Sequence, residues 1–395
     1  MTKAFENMLY LLGSGARGYE VSIKDIDIDA VRKCAISQGV WPIVYKAMEK
    51  TYDVSKYRME FIAIISKYVS RKDFSLKMIR ELEKNGIKCC IIKGPVVSRL
   101  YHMPDCRISG DVDVYISLDD EIKAGEILRE NGYRVEKRTK NGHHFLAIHS
   151  LGGPLEVHIR MSEKTAEDIA FDGKISYSNT FETANIDGNE YNVLNANDEL
   201  LQLTTHCIKH FVSSGCGIRQ VLDVLLCMEK NKENIDLNKY NELFKELRYD
   251  KFLEVAKSIG AIYFGYDYPI CHKELVDKVL TDMEKGGSFG YEADDRVDFF
   301  KIYCNERAKS QSLNSKIHMK KRAIKVTFSK LFPTKKGLIA CGYRYARHSL
   351  LIPFAYIHRF IDLLLGSKKK INEIKTSGDK AYKRLDMMKE LGMID

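Results

Sequence analysis

The sequence has few of the features that mark secreted, zinc-ribbon or membrane-spanning proteins. Its 395 residues include 10 cysteines but no C-x-x-C pair, so neither a zinc ribbon nor a disulfide framework is indicated. Only 7 prolines are present, which argues against long linkers. No apolar run approaches the roughly twenty residues of a transmembrane helix, and the N-terminus lacks the apolar region and cleavage site of a signal peptide. We therefore expect a cytoplasmic protein with free thiols.

Acidic residues are absent from one long segment near the end of the chain. Residues 307–361 contain no Asp or Glu but thirteen Lys and Arg, more than the net charge of +9 of the whole protein. Such a segment can contact phosphate, an acidic glycan, nucleic acid or an anionic membrane surface, and a solvated helical face is the alternative. LLIPFAYIHRFIDLLLG (350–366) is too interrupted to span a bilayer, so it is a buried terminal helix or a segment lying on a membrane surface.

Apolar periodicity divides the chain into three parts. Residues 1–80 carry apolar side chains at the three- and four-residue spacing of helices. Residues 81–195 mix helices that stop at Asn-Gly with short strands, and residues 196–395 are again helical. The strands are predicted at IKCCII (87–92), DVDVYI (111–116), YRVEKR (133–138), HHFLAIHS (143–150) and PLEVHIR (154–160), with a hairpin at Asp187 and Gly188. This order predicts an α/β (α+β) fold, with a small mixed sheet flanked by N-terminal helices and a larger C-terminal helical region.

Two aspartates lie in one predicted strand. Asp111 and Asp113 alternate with Val112 and Val114, which places both carboxylates on one face. Aspartate is depleted in strands, and two such close charges raise each other's pKa unless a positive group intervenes. Mg²⁺ is bound by one or two carboxylates together with substrate phosphates. We therefore predict that this pair holds Mg²⁺, with Mn²⁺ as the alternative.

Other residues extend this candidate site. Glu156 in a later strand is a third carboxylate, which would complete a two-metal site, and His158 follows on the same face. Lys93 could neutralise phosphate charge. Gly94 allows the backbone to approach phosphate closely, and the residues after it can open a helix whose N-terminus favours anions.

The order of these motifs resembles the polymerase-β type nucleotidyltransferase superfamily. It is most similar to an uncharacterised bacterial nucleotidyltransferase family and to nucleotidyltransferase toxins of the abortive-infection type. The resemblance covers about residues 30–270 and includes Glu156 and His158 as an acidic-x-His pair. The KG, LY and R-x-S-x-D-x-D motifs are Lys93, Gly94, Leu100, Tyr101, Arg107, Ser109, Asp111 and Asp113.

The resemblance implies transfer of a nucleoside monophosphate from an NTP, such as ATP, to an acceptor, with Mg²⁺. Asp111 and Asp113 would hold the metals, and Glu156 would support the second metal or act as a base. Lys93 and Gly94 would contact phosphate, and His158 would also contribute to nucleotide binding. Arg107 and Ser109 would brace the aspartate strand or touch the nucleotide. The acceptor favoured is a small molecule or a glycan.

One departure from the family pattern leaves alternatives open. The superfamily has a hydroxyl residue or Gly-Thr after the glycine, whereas this chain has Pro95, so Ser98 is the nearest hydroxyl for nucleotide binding. A toxin-like enzyme that modifies RNA or protein, with residues 307–361 as the RNA surface, is the first alternative. The second is a catalytically degenerate binding or scaffold module.

Two further pairs have four-residue helical spacing. His206 and His210 could bind metal, but we interpret them as capping or core residues because no carboxylate accompanies them. Arg219 and Asp223 are interpreted as a helix-surface ion pair or a brace between domains.

Overall fold

A computed structural model describes residues 1–139, 142–161, 170–178, 180–288, 290–291, 303–304, 306–307, 335–340, 342–365 and 383–395. The chain forms two compact units. The first contains Met1–Phe211 and Gly215–Tyr291, and the second contains Val212–Ser214 and Glu292–Asp395. Residues 308–334 of the predicted basic segment lie outside the described residues, so its role as a partner surface stays a prediction, as does the division into three parts.

Four long helices precede the sheet, as the apolar periodicity predicts. Thr2 caps the first helix by accepting a hydrogen bond from the Phe5 amide, and Asp27 caps the second by accepting one from Ala30. The fourth helix ends at Lys84, and its C-cap Asn85 is followed by Gly86 at a positive φ of 80°. The helices are α1 (Lys3–Arg17), α2 (Ile28–Ser37), α3 (Trp41–Met48) and α4 (Arg58–Lys84).

A seven-stranded mixed sheet forms the centre of the first unit, which confirms the predicted α/β class. Its spatial order is β3-β4-β5-β2-β1-β7-β6. The β2–β5 and β1–β7 pairs are parallel, and the other neighbours are antiparallel. The strands are β1 (Cys90–Ile91), β2 (Val112–Tyr115), β3 (Arg134–Val135), β4 (His144–His149), β5 (Gly153–His158), β6 (Phe181–Ile186) and β7 (Asn189–Leu194).

Three predicted strands are clearly shorter than the sequence pattern indicated, including the one expected over 133–138, which is reduced to Arg134–Val135. The strand expected over 87–92 is reduced to Cys90–Ile91, and the chain turns shortly after it at Gly94, where φ is 71°. The aspartate strand begins at Val112, so Asp111 lies just before its first residue. Two short helices, α5 (Pro95–Ser98) and α6 (Glu121–Glu130), follow β1 and β2 respectively.

In β2 and β5, alternate side chains point to the hydrophobic core and to the candidate site. Val112 pairs with Leu155 and Val114 with Val157, and all four side chains are buried. Because successive strand residues point to opposite faces, Asp113 and its partner Glu156 share the other face.

Helices make up the rest of the described chain. The helices after the sheet are α7 (Ala196–Ser213), α8 (Ile218–Lys230), α9 (Leu237–Glu246), α10 (Asp250–Tyr263) and α11 (Lys273–Gly286). The second unit contains α12 (Lys335–Ala340) and α13 (Ile352–Leu365), and Leu338, Ala346 and Ala355 form a small buried cluster there. Among the described helices, none is long and apolar enough to cross a membrane.

Candidate active site

The sheet register brings Glu156 directly beside Asp113. The two residues are partners in the parallel β2–β5 ladder. Asp113 is 4% exposed, while the Glu156 side chain is 29% exposed. Glu156 therefore gives the buried Asp113 carboxylate a partly accessible acidic neighbour.

Two positive or hydrogen-bonding groups hold the Asp113 carboxylate. His158 Nε2 donates to Asp113 Oδ1 at 3.0 Å, and Lys93 Nζ lies 3.9 Å from the same oxygen. Burial alone would raise the pKa of Asp113, but the Lys93 charge and the His158 hydrogen bond lower that pKa to about 2. The pKa of Glu156 is also lowered, chiefly by the neighbouring His158 ring, whose Nε2 lies 3.6 Å from Glu156 Oε2. Both carboxylates are thus ionised at neutral pH.

Asp111 behaves differently from Asp113. Burial, with the charges of Asp113 and Glu156, raises the pKa of Asp111 to about 6. Asp111 therefore has the raised pKa expected of two close carboxylates, whereas Asp113 does not, because the positive groups Lys93 and His158 lie beside it.

Two overlapping groups of ligand atoms occur among the described residues. One ligand atom from each of Asp113, Glu156 and His158 lies within 4.8 Å of the others, and the same holds for His143, His144 and His158. Within the described ranges, Asp111 belongs to neither group. Asp113, Glu156 and His158 could therefore hold a metal ion together.

The loop that carries Lys93 packs against the aspartate segment. A Cβ on Gly94 would lie 3.2 Å from the Asp111 carbonyl oxygen and 3.5 Å from Ser109 Oγ, so glycine is required both by this approach and by its positive φ. Pro95 occupies the first position of α5, where a helical N–H has no partner. The buried Ser98 hydroxyl donates to the Pro95 carbonyl at 2.8 Å. Nucleotide binding by Ser98 stays a prediction, and it would require this bond to break.

Arg107 belongs to a buried network behind the carboxylates. Its Nη2 and Nε donate to the Asp223 carboxylate at 2.7 and 3.1 Å, and the Tyr101 hydroxyl donates to the same carboxylate at 2.7 Å. Arg219 donates instead to the Ile108 carbonyl at 2.7 Å. The interpretation of Arg219 and Asp223 as a helix-surface ion pair is therefore wrong: both side chains of α8 contact the segment that leads into β2. This geometry favours the bracing role for Arg107.

His206 is a site residue that sequence reasoning did not connect to the motif. Lys93 Nζ donates to His206 Nδ1 at 2.8 Å, although the residues are far apart in sequence. Burial and the nearby Lys93 charge lower the pKa of His206 well below its usual value, so its ring is neutral and can accept this bond. The four-residue spacing to His210 marked the position, but nothing in the sequence indicated Lys93 as its partner.

His143 and His144 are also close to the carboxylates. Their ring centroids lie 5.3 and 5.2 Å from that of His158. His144 is paired with His158 in the β4–β5 ladder, which explains the proximity. The sequence showed these histidines without any identifiable partner, because the pairing depends on the strand register.

Comparison with known proteins gives one family. A family model described as an uncharacterised nucleotidyltransferase matches residues 24–265, which is more than half of the chain. No curated protein matches. Among solved structures, the antibiotic-resistance factor ANT(2'')-Ia is similar at 12% identity with a TM-score of 0.32, covering 46% of this chain and 92% of that one. The family match identifies the protein as a transferase: it belongs to the uncharacterised nucleotidyltransferase family.

Proposed function

We propose that the protein transfers a nucleoside monophosphate from an NTP to a hydroxyl acceptor, with Mg²⁺ bound at Asp111, Asp113 and Glu156. The observation that supports this most is the pairing of Asp113 with Glu156 across β2 and β5, with Lys93 beside them. Family membership supports nucleotidyl transfer in general. The metal, the residue roles and the acceptor are the parts proposed here.

The chemistry of the donor set fits a hard divalent cation. Asp113 and Glu156 are ionised neighbours, and the pKa of Asp111 is raised by burial and then by the negative charges of these two carboxylates, which a cation would neutralise. Bound there, Mg²⁺ (or Mn²⁺) would supply charge stabilisation for the triphosphate and for the attacking oxygen. His158 orients the Asp113 carboxylate through its 3.0 Å hydrogen bond.

Lys93 is placed to contact a phosphate of the NTP. Its side chain is 14% exposed and is directed between Asp113 and His206. Because the neutral His206 ring accepts one of its three N–H groups, the ammonium keeps donors for a phosphate oxygen. Gly94 permits the close approach of this loop to the Asp111 backbone.

Glu156 is the group that could accept a proton from the acceptor. Its side chain is partly exposed, and its lowered pKa keeps it ionised at neutral pH. A carboxylate of this kind can deprotonate a hydroxyl or orient it by accepting its hydrogen bond. Arg107 and Ser109 would act by positioning the segment that enters β2, since Arg107 is held by the buried Asp223.

Thermal unfolding of the purified protein with each NTP, with and without Mg²⁺, tests the proposal. A ligand that binds the folded state stabilises it by roughly 2.7 kcal/mol at a hundredfold excess over its Kd. We expect a rise in midpoint that requires both Mg²⁺ and an NTP. The stabilising NTP, labelled at its α-phosphate, then serves to search metabolite, glycan, RNA and protein fractions for the acceptor. Equal midpoints with and without every NTP would reject the proposal and favour a scaffold.

Mg²⁺ binding is expected to weaken as the pH falls below about 6. Asp111 must lose its proton to bind the cation, so affinity should fall roughly tenfold per pH unit below its pKa. Because this pKa is raised in the folded state, the metal-free protein also loses stability as the pH rises from Asp111's ordinary pKa of 3.8 to about 6. Calorimetric titration of Mg²⁺ between about pH 5 and 8 measures the effect. If Mg²⁺ affinity depended on pH in the same way in the wild type and in Asp111→Asn, the assignment of Asp111 as a Mg²⁺ ligand would be contradicted.

A further inference from the structure

Three histidine rings meet beside the carboxylates. The ring centroids of His143, His144 and His158 are separated by 4.5, 5.2 and 5.3 Å. One ring nitrogen from each lies within 4.8 Å of the other two. The β4–β5 register fixes His144 opposite His158, so the sheet itself holds two of the rings together.

The spacing of the rings is that of imidazoles around a tetrahedral ion. A Zn–N bond of about 2.0–2.1 Å, with the ring centre about 1.1 Å beyond the nitrogen, places each centroid about 3.2 Å from the metal. At the tetrahedral angle, such centroids are about 5.2 Å apart. Two of the three observed separations, 5.2 and 5.3 Å, agree with this value. The shorter separation belongs to His143 and His144, whose Nε2 and Nδ1 contact each other at 3.1 Å.

His158 also has the hydrogen-bonding pattern of a metal ligand. Its Nε2 donates to Asp113, while its Nδ1 is buried and has no hydrogen-bond partner within the described part of the chain. A metal-bound histidine almost always donates its other ring N–H to a carboxylate or carbonyl. A buried ring nitrogen without a partner is unfavourable, and an ion at Nδ1 would satisfy it.

We propose that His143, His144 and His158 bind a transition-metal ion of the Zn²⁺ class. Imidazole ligands suit Zn²⁺, Cu²⁺ and Ni²⁺, whereas carboxylates suit Mg²⁺ and Mn²⁺, so the two neighbouring groups select different ions. Three protein ligands leave a fourth position for water or another molecule. This site includes none of the proposed Mg²⁺ ligands, although His158 contacts Asp113, and it does not depend on nucleotidyl transfer.

Zn²⁺ titration of the full chain against a chromophoric chelator tests the proposal. We expect one ion per chain, with affinity at least about tenfold weaker in His143→Gln and in His144→Gln. The exposed His102 gives the matched control, and His102→Gln should bind Zn²⁺ as the wild type does. Both cluster variants should keep the Mg²⁺-dependent stabilisation by NTP, which separates this site from the proposed function.

Co²⁺ provides a test that needs no substitution. The wild-type protein should give the intense visible absorption of four-coordinate Co²⁺ with nitrogen ligands, and a weak octahedral spectrum would overturn the proposal. Zn²⁺ affinity that is unchanged in His143→Gln and His144→Gln but reduced in Glu156→Gln would also overturn it, because the ion would then lie among the carboxylates. Absence of any Zn²⁺ binding at micromolar concentration would likewise overturn the proposal.

Discussion

Replacing Asp113 by Asn is expected to abolish the Mg²⁺-dependent stabilisation by NTP and to lower nucleotidyl transfer by at least about a thousandfold, or ~4 kcal/mol. Asp113 is buried at the centre of the candidate site, since it is paired in register with Glu156 and hydrogen-bonded to His158. Asparagine keeps the shape but not the charge. Lys93 and the metal would then lose their shared anionic partner.

The measurement compares wild type, Asp113→Asn and Asp119→Asn for thermal shifts with the stabilising NTP and for transfer of its labelled α-phosphate. Asp119 follows the same strand but is exposed, so it controls for the loss of one negative charge from this region. Its variant should behave as the wild type does. An Asp113→Asn protein that retains the Mg²⁺-dependent shift would remove the basis for the proposed mechanism.

Asp113→Asn should also lower the free energy of unfolding of the ligand-free protein. The pKa of Asp113 is lowered to about 2, so its ionised form stabilises the fold above its ordinary pKa of 3.8, and this stabilisation is lost as the pH falls toward 2. This stabilisation by the ionised Asp113 is on the order of 2 kcal/mol at neutral pH. Asp111→Asn should instead raise the free energy of unfolding of the ligand-free protein, because the pKa of Asp111 is raised in the folded state.

Much of the fold was predictable because it depends on local pattern. The alternation of Asp111 and Asp113 with valines, and the Asn-Gly helix stops, are signals within a few residues of each other. Strand ends were less predictable, since the turn at Gly94 has a positive φ and lies against the Asp111 backbone, which is distant in the sequence. The class of fold was therefore correct, while the lengths of β1, β2 and β3 were not.

The contacts that complete the candidate site depend on residues far apart in the chain. Sequence spacing could place Glu156 on a later strand, but its pairing with Asp113 required the order of strands in the sheet. His206 reaches Lys93 from α7, and His144 reaches His158 across β4 and β5. A helix-period pattern says which residues share a face, but it does not say what that face contacts.

The second large effect concerns Asp223, which lies outside the carboxylate group. Asp223 is 4% exposed, and Arg107 is 6% exposed. Both Asp223 oxygens accept hydrogen bonds, from Arg107 and from the Tyr101 hydroxyl. Burial would lower the pKa of Arg107, but the Asp223 carboxylate raises it, so the ion pair persists in the interior. Its loss would leave an unpaired buried guanidinium.

Asp223→Ala is therefore expected to destabilise the protein by about 3–5 kcal/mol, as measured by urea unfolding. Asp73→Ala is the control, since it removes an exposed partner of Lys77 and should cost less than about 1 kcal/mol. The double variant Arg107→Met with Asp223→Leu should be closer to wild type in stability than either single change, because it removes both charges together.

The same variants separate bracing from nucleotide contact by Arg107. If Arg107 positions the segment that enters β2, the double variant should recover stability and retain Mg²⁺-dependent stabilisation by NTP. If Arg107 touches the nucleotide, the double variant should recover stability but lose that stabilisation. The buried geometry of the pair favours the first result. A single Asp223→Ala change that costs no more than the exposed control would show that this network does not hold the loop.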